Sequence, residues 1–175
     1  METLKLTAEH FKQSNSYWKD YIGTVDISDY QGNIEIDSNI WLVRFNSIKA
    51  SWSIIALAWT GIMAWDEITA WDGITAWWGI TAWWGITAWL SISCKLSLSF
   101  SYKAFAGICY WRKINESEKT ITCGKKEGTG VVEYGILVET GLPDEKLEGT
   151  MVVQDIEEDN TITVLGKKYK LTPIE

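Results

Sequence analysis

The chain has 175 residues, enough for one ordinary domain or for a repeat array with an appendage. An apolar content of 46% and a mean hydropathy of −0.06 are those of a globular protein and exclude a disordered one. The net charge of −7 gathers in the tail, where residues 113–175 hold 8 basic and 13 acidic residues, and no basic stripe offers itself to nucleic acid.

The opening METLKLTAEHFKQ is polar and mixed in charge, unlike a secretory leader. Cys94, Cys109 and Cys123 form no CxxC and no metal spacing, and their odd number points to a reducing compartment, the cytoplasm. TAEHFKQSNSYWKDY (7–21) predicts a helix with Thr7 as N-cap and Glu9 in the first turn. Residues 1–32 are read as an N-terminal helical cap, because a repeat array must cover its unpaired strand edges.

The next stretch is dominated by a hexad. Ile62, Ile68, Ile74, Ile80, Ile86 and Ile92 are spaced by six. The residue two later is Ala64, Ala70, Ala76, Ala82 and Ala88, then Cys94; between them come Met63, Thr69, Thr75, Thr81, Thr87 and Ser93. Trp59, Trp65, Trp71, Trp77, Trp83 and Trp89 keep the same step. Alternation within I-T-A-W sends Ile and Ala to one side and Thr and Trp to the other. The next two residues, such as Trp78-Gly79 or Trp84-Gly85, make a corner, where glycine can take a positive φ. One hexad is a short strand plus a bend, and stacked hexads give an all-β solenoid. A slim coil has room for a branched aliphatic and a methyl per strand but not for six indoles, so the tryptophans face out.

Upstream, Ile34, Ile40, Ile48 and Ile54 lead to Ile62 at spacings of 6, 8, 6 and 8; downstream, Leu98, Ala104 and Ile108 prolong the pattern. The solenoid is placed at 33–111. Two extra residues in every second hexad suggest two strands per coil. A flattened two-sheet coil of 12 residues is preferred, with Trp59, Trp71 and Trp83 on one face and Trp65, Trp77 and Trp89 on the other. A triangular left-handed β-helix of 18 residues per coil is the alternative, with two tryptophans in each of three ladders. Like residues in successive coils lie about 4.8 Å apart, close enough for indoles to stack. Trp78 and Trp84 at corners widen the apolar surface.

Residues 73–94 carry no charge over 22 positions, long enough for a membrane helix. A six-residue step turns a helix by about 600°, which scatters the tryptophans in three directions. The repeat also continues upstream through Asp66, Glu67 and Asp72. Strand and turn explain the segment better, and no membrane partner is expected.

Residues 112–175 are read as a β-rich region. TITCG, VVEYGILVE, TMVVQDI and TITVLGKKYKL look like strands, LGKKY like a hairpin, GKKEGTG (124–130) like a turn, and DIEEDN (155–160) like a solvated acidic loop without calcium-loop spacing. His10 is the single histidine and lies outside the repeats, so Ser/His/Asp and Cys/His constellations find no support in the array. No phosphate or dinucleotide fingerprint is present. Neither enzymatic activity, nor a cofactor, nor a metal is expected.

The repeat resembles that of a group of uncharacterised bacterial and phage-type hexapeptide β-solenoid proteins, whose units read roughly G-I-K-A-G-W. SIKASWSIIALA (47–58), AGICYWRK (106–113), and ITCGKKEGTG with VEYGILVETG (121–141) are similar to that group as well. The resemblance covers most of the chain and brings no activity with it. It departs where the six tryptophans stand in place of a small residue, and that regularity reads as design: an engineered variant carrying a tryptophan ladder. The expected role is a non-enzymatic scaffold that associates with itself, as a homodimer or larger, through the six laddered tryptophans, Trp78, Trp84 and the outward Thr69, Thr75, Thr81 and Thr87. The alternative is a binding module for a flat or repetitive ligand, glycan or ice, since threonine rows resemble those of ice-binding solenoids.

Overall fold

The computed structural model describes residues 2–38 and 40–142, and the backbone of 161–164 and 167–170. The chain divides into two compact units, Met1–Pro143 and Asp144–Glu175.

The first unit is an all-β solenoid of about 6 turns, and from residue 33 to residue 134 each turn is built from three strands, one in each of three sheets. In chain order these are β1 (Thr3–Leu6), β2 (Phe11–Gln13) and β3 (Trp18–Tyr21); β4 (Asn33–Ile36), β5 (Leu42–Phe45) and β6 (Ile48–Ala50); β7 (Ile54–Ala56), β8 (Gly61–Ala64) and β9 (Ile68–Ala70). There follow β10 (Ile74–Ala76), β11 (Ile80–Ala82) and β12 (Ile86–Ala88); β13 (Ile92–Cys94), β14 (Ser97–Phe100) and β15 (Lys103–Ala106); β16 (Thr120–Cys123), β17 (Lys125–Glu127) and β18 (Val131–Tyr134); and β19 (Ile136–Glu139). Three sheets run along the axis, in the orders β1-β4-β7-β10-β13-β16-β19, β17-β14-β11-β8-β5-β3-β2 and β18-β15-β12-β9-β6. We refer to them as the first, second and third sheet.

The 12-residue, two-sheet coil is therefore corrected to the three-sheet coil. Ile74 pairs with Ile92, Ile62 with Ile80 and Ile68 with Ile86, each eighteen residues apart. Alternation fixes which side a residue faces, but not how far each corner turns the chain. The upstream register also changes. Val43, not Ile40, pairs with Ile62, while Ile40 is buried at a corner. The extra residues fall each time between the first and second sheets, once per three strands, so that Ile34, Ile54 and Ile74 stand twenty apart.

Sidedness follows the alternation. Every Ile and Ala of the hexads lies in one continuous buried column, and three aliphatics with three methyls fill a regular coil. Burial of each such isoleucine contributes about 1.5–3 kcal/mol. Phe45 and Phe100 bracket Ala64 and Ala82 in the second sheet, so larger groups fill the interior where the repeat ends.

The corner glycines serve a purpose other than the one expected. Gly61, Gly73, Gly79 and Gly85 do not have positive φ. They are small because the next coil presses on them: a Cβ on Gly79 would stand 2.8 Å from the Ser97 carbonyl oxygen, and one on Gly85 2.7 Å from that of Lys103. Left-handed backbone occurs instead at Trp41 (φ 73) and Trp59 (φ 63), both in the longer corners.

The predicted helix over 7–21 is not formed. Only Ala8–His10 makes a single 3-10 turn, with Thr7 as its N-cap, and β2 and β3 pair antiparallel around Ser14-Asn15-Ser16. The Asn15 side chain accepts from the amides of Tyr17 and Trp18 (both 2.9 Å), which holds the turn. Phe11, Tyr21 and Phe45 pack with ring centroids 5.7–5.9 Å apart. The antiparallel β2 thus covers the edge of the second sheet that a helix was expected to cover.

Parallel coil strands lie on both sides of 33–111. After β15 the chain leaves the coil over 107–119, through Gly107 (φ 80), and Ile108 joins no strand. Arg112 clasps Glu118 there, which holds the Glu118 carboxyl down at about 2. Ile121 then resumes the column over Ile92. Within GKKEGTG, Lys125–Glu127 is a strand and the turn follows at Gly128 (φ 77). In the second unit, β20 (Thr161–Val164) and β21 (Lys167–Lys170) pair antiparallel, the hairpin read from LGKKY. TMVVQDI and DIEEDN lie outside the described residues.

Candidate functional site

Three strands per coil give three corners; Trp65, Trp71, Trp77, Trp83 and Trp89 are each the first residue of one, and Trp59 is the third residue of the longer corner after Ala56. The six therefore fall in three pairs along three edges of the solenoid.

Between the first and second sheets, Trp59 and Trp77 stand with centroids 6.0 Å apart. Trp78 completes a cluster with Trp59 (6.4 Å) and Trp41 (6.3 Å). Eighteen residues after Trp77, Lys95 ends the run, its Nζ 3.1 Å from the Trp77 ring centre. Between the second and third sheets, Trp65 and Trp83 lie 6.3 Å apart, and Trp84 packs on Tyr102 at 5.3 Å. The Arg44 guanidinium sits 5.3 Å from the Trp65 ring. Between the third and first sheets, Trp71 and Trp89 are parallel within 4° at 4.8 Å, the coil spacing itself. Trp111 (4.5 Å) and Tyr110 (5.4 Å) fold back onto Trp89 from the 107–119 excursion.

These rings are held by backbone. Corner amides donate to the coil before: Trp77 N to the Ala56 oxygen, Trp83 N to that of Ala64, Trp89 N to that of Ala70. Serines brace the corner carboxylates: Ser47 Oγ donates to Asp66 (3.2 Å) and Ser53 Oγ to Asp72 (2.9 Å). Even so, the indoles of Trp59, Trp65, Trp71, Trp83 and Trp84 are about half exposed, between 47 and 63%.

The four threonines do not meet in one row. Thr69 and Thr87 are neighbours on the third sheet, Thr75 lies on the first and Thr81 on the second. The outward row of the first sheet reads Lys5, Glu35, Ile55, Thr75, Ser93, Thr122 and Val138; it opens on an ion pair and is uncharged from Ile55 onward. It runs between the Trp71/Trp89 edge and the Trp59/Trp77 edge. Over the coils from Ile55 onward the other two rows carry charge or bulk: Met63, Thr81, Ser99 and Glu127 on the second sheet, Thr69, Thr87 and Phe105 on the third.

Trp41, Trp52, Tyr102, Tyr110 and Trp111 extend the aromatic surface and were not singled out by the hexad. Trp41 stands eighteen residues before Trp59, but Leu42 pairs with Gly61, nineteen residues on, so that spacing is not the length of the coil there.

Chemistry elsewhere is sparse among the described residues. His10 accepts the Thr7 amide at Nδ1 (3.1 Å), a local cap. Cys94 and Cys123 are buried, and desolvation pushes their thiols up to about 12 and about 11. No group of three or more His, Cys, Asp or Glu that could hold a metal occurs among the described residues. Nor is any of their helices long and apolar enough to cross a membrane.

No protein-family model matches the chain, and neither does any curated protein or solved structure.

Proposed function

We propose that the protein is a non-enzymatic scaffold that associates with itself through the outer face of its first sheet and the two indole edges beside it. The observation that carries this reading is the uncharged row Ile55, Thr75, Ser93 and Thr122 set between Trp71/Trp89 and Trp59/Trp77. A flat, short-chained floor with aromatic walls is self-complementary about a two-fold axis, which suits an isologous dimer. Half-exposed indoles over several coils form a patch of the kind that soluble chains cover with a partner.

We further propose that the chain is an engineered member of the hexapeptide-repeat solenoids, with tryptophans set into corners once held by small residues. Trp59 supports this: its φ of 63 is a conformation natural to glycine and costly for an indole-bearing residue. The free thiols fit residence in a reducing compartment. Dispersal of the four threonines over three sheets speaks against an ice-matching lattice.

Light scattering across a concentration series tests the association. The parent is expected to dimerise or go further, and Thr75→Arg, which sets a charge in the centre of the floor, to remain monomeric. Trp65→Gly/Trp83→Gly, on the edge away from this face, is expected to associate like the parent. A monomeric parent, or a Thr75→Arg variant that associates undiminished, contradicts the reading.

A further inference from the structure

The edge between the second and third sheets does not keep its indoles to the N-terminal end. Trp65 N donates to the Phe45 oxygen and Asp66 N to that of Asn46; the corner here is Asn46-Ser47, one residue shorter than Trp65-Asp66-Glu67 in the next coil, and it carries no indole. Where an indole would be, the structure leaves a groove of about 520 Å³. Its far wall is the strap 22–29, which leaves the coil after β3 and returns through the Tyr30–Ala50 bridge. That volume is in the range of sites for small organic ligands.

The lining is two-sided. One side is apolar: the half-exposed Trp65 indole, with Phe45 and Ile27 beneath. The other is polar and mostly fixed. Asp20 takes both Arg44 Nε (2.6 Å) and Nη2 (2.9 Å), and Ser14 takes Nη2 as well (2.7 Å), so the guanidinium is locked over the Trp65 ring, 5.3 Å from its centre. Among the described residues Arg44 Nη1 donates to no partner. Across the groove Asp26 Oδ1 accepts from Ser28 N (2.9 Å) and Oγ (2.7 Å), with Oδ2 left over. The Asn46 amide adds donors and an acceptor between them.

We infer that this groove binds a neutral sugar ring. A pyranose has an apolar C–H face for the part of the half-exposed indole that Arg44 does not cover, and a rim of hydroxyls, each both donor and acceptor, for Arg44 Nη1, Asn46 and Asp26. Other chemistries fit worse. A lipid chain would strip water from carboxylates and offer them nothing. A phosphate would meet Asp20 and Asp26, while a small cationic amine would pair with Asp26 but offers no acceptor to Arg44 Nη1 and no apolar ring face to Trp65. Interleaved donors and acceptors select a ligand that is itself uncharged and rich in hydroxyls.

The test is indole N–H NMR on the full chain, with the Trp65 signal assigned by Trp65→Phe. The probes are glucose, galactose, mannose, N-acetylglucosamine, lactose and maltose, with inorganic phosphate and methylammonium as charged controls. At least one sugar is expected to move the Trp65 signal saturably, with the Trp71 and Trp89 signals unmoved. Asn46→Ala and Asp26→Asn, both surface changes, are expected to weaken that sugar about tenfold or more each. Unmoved Trp71 and Trp89 signals in the two variants show that the coil is intact. The inference is overturned if no sugar moves Trp65, if the variants bind as well as the parent, or if phosphate or methylammonium binds more tightly than every sugar. The readout follows Trp65 alone and is independent of association through the first sheet.

Discussion

Two tryptophans that look alike in the repeat are held by different physics. Trp71 occupies ordinary backbone and stacks flat on Trp89, while Trp59 is forced to a φ of 63 and meets Trp77 and Trp78 at an angle. Left-handed backbone costs a side-chain-bearing residue about 1–2 kcal/mol, and a good aromatic pair contributes about 0.5–1.5 kcal/mol beyond burial. Trp59→Gly releases strain as it loses contacts, so chemical denaturation is expected to find it within about 1 kcal/mol of the parent. Trp71→Gly relieves nothing and is expected to cost about 1–2 kcal/mol. The cysteines divide in a similar way. Burial raises the Cys94 and Cys123 thiols to about 12 and about 11, and only the thiolate attacks. At pH 8 an aromatic disulfide reagent is expected to titrate one thiol, Cys109, in the native protein and three after denaturation. Rapid reaction of three thiols without denaturant would mean that the last coils open.

Within one strand, neighbours in sequence differ sharply in consequence. Ile80 is fully buried between Ile62 and Leu98, and Thr81 beside it faces outward. Ile80→Ala is expected to destabilise by about 2–5 kcal/mol, and Thr81→Ala by less than about 0.5 kcal/mol; thermal unfolding of the two variants measures the contrast. This inside–outside division was fully legible in the sequence, because a period of two leaves no choice once Ile and Ala recur together. The strand count per turn was less legible. Taking Ile40 as a strand residue made the insertions alternate, whereas with Val43 in that place they recur every third strand. The 3-10 turn and hairpin at the N-terminus were missed because Thr7 and Glu9 mimic a helix start, while Phe11, Tyr21 and Phe45 gain more by meeting across strands.

At the scale of the molecule, the number of sheets decides the surface. Two sheets would have given two long ladders of tryptophan; three sheets spread the same six residues into pairs on three edges and leave, from Ile55 onward, one uncharged row between two of them. The groove at Asn46 was not legible, because it exists only where the indole column stops beside a strap that the repeat does not encode. The association proposed for the first sheet and the sugar proposed for the groove both depend on this three-sided closure. Disulfide pairing measures it directly. In a variant with the three native cysteines replaced by alanine, Thr69→Cys/Thr87→Cys places thiols on adjacent coils of one sheet, at a spacing that a disulfide spans without strain. Thr75→Cys/Thr87→Cys, twelve residues apart, places them on different sheets. Under mild oxidation at high dilution, the 69/87 pair is expected to close within the chain and the 75/87 pair to stay reduced. Closure of 75/87 with 69/87 left open would mean two strands per turn and would contradict the account.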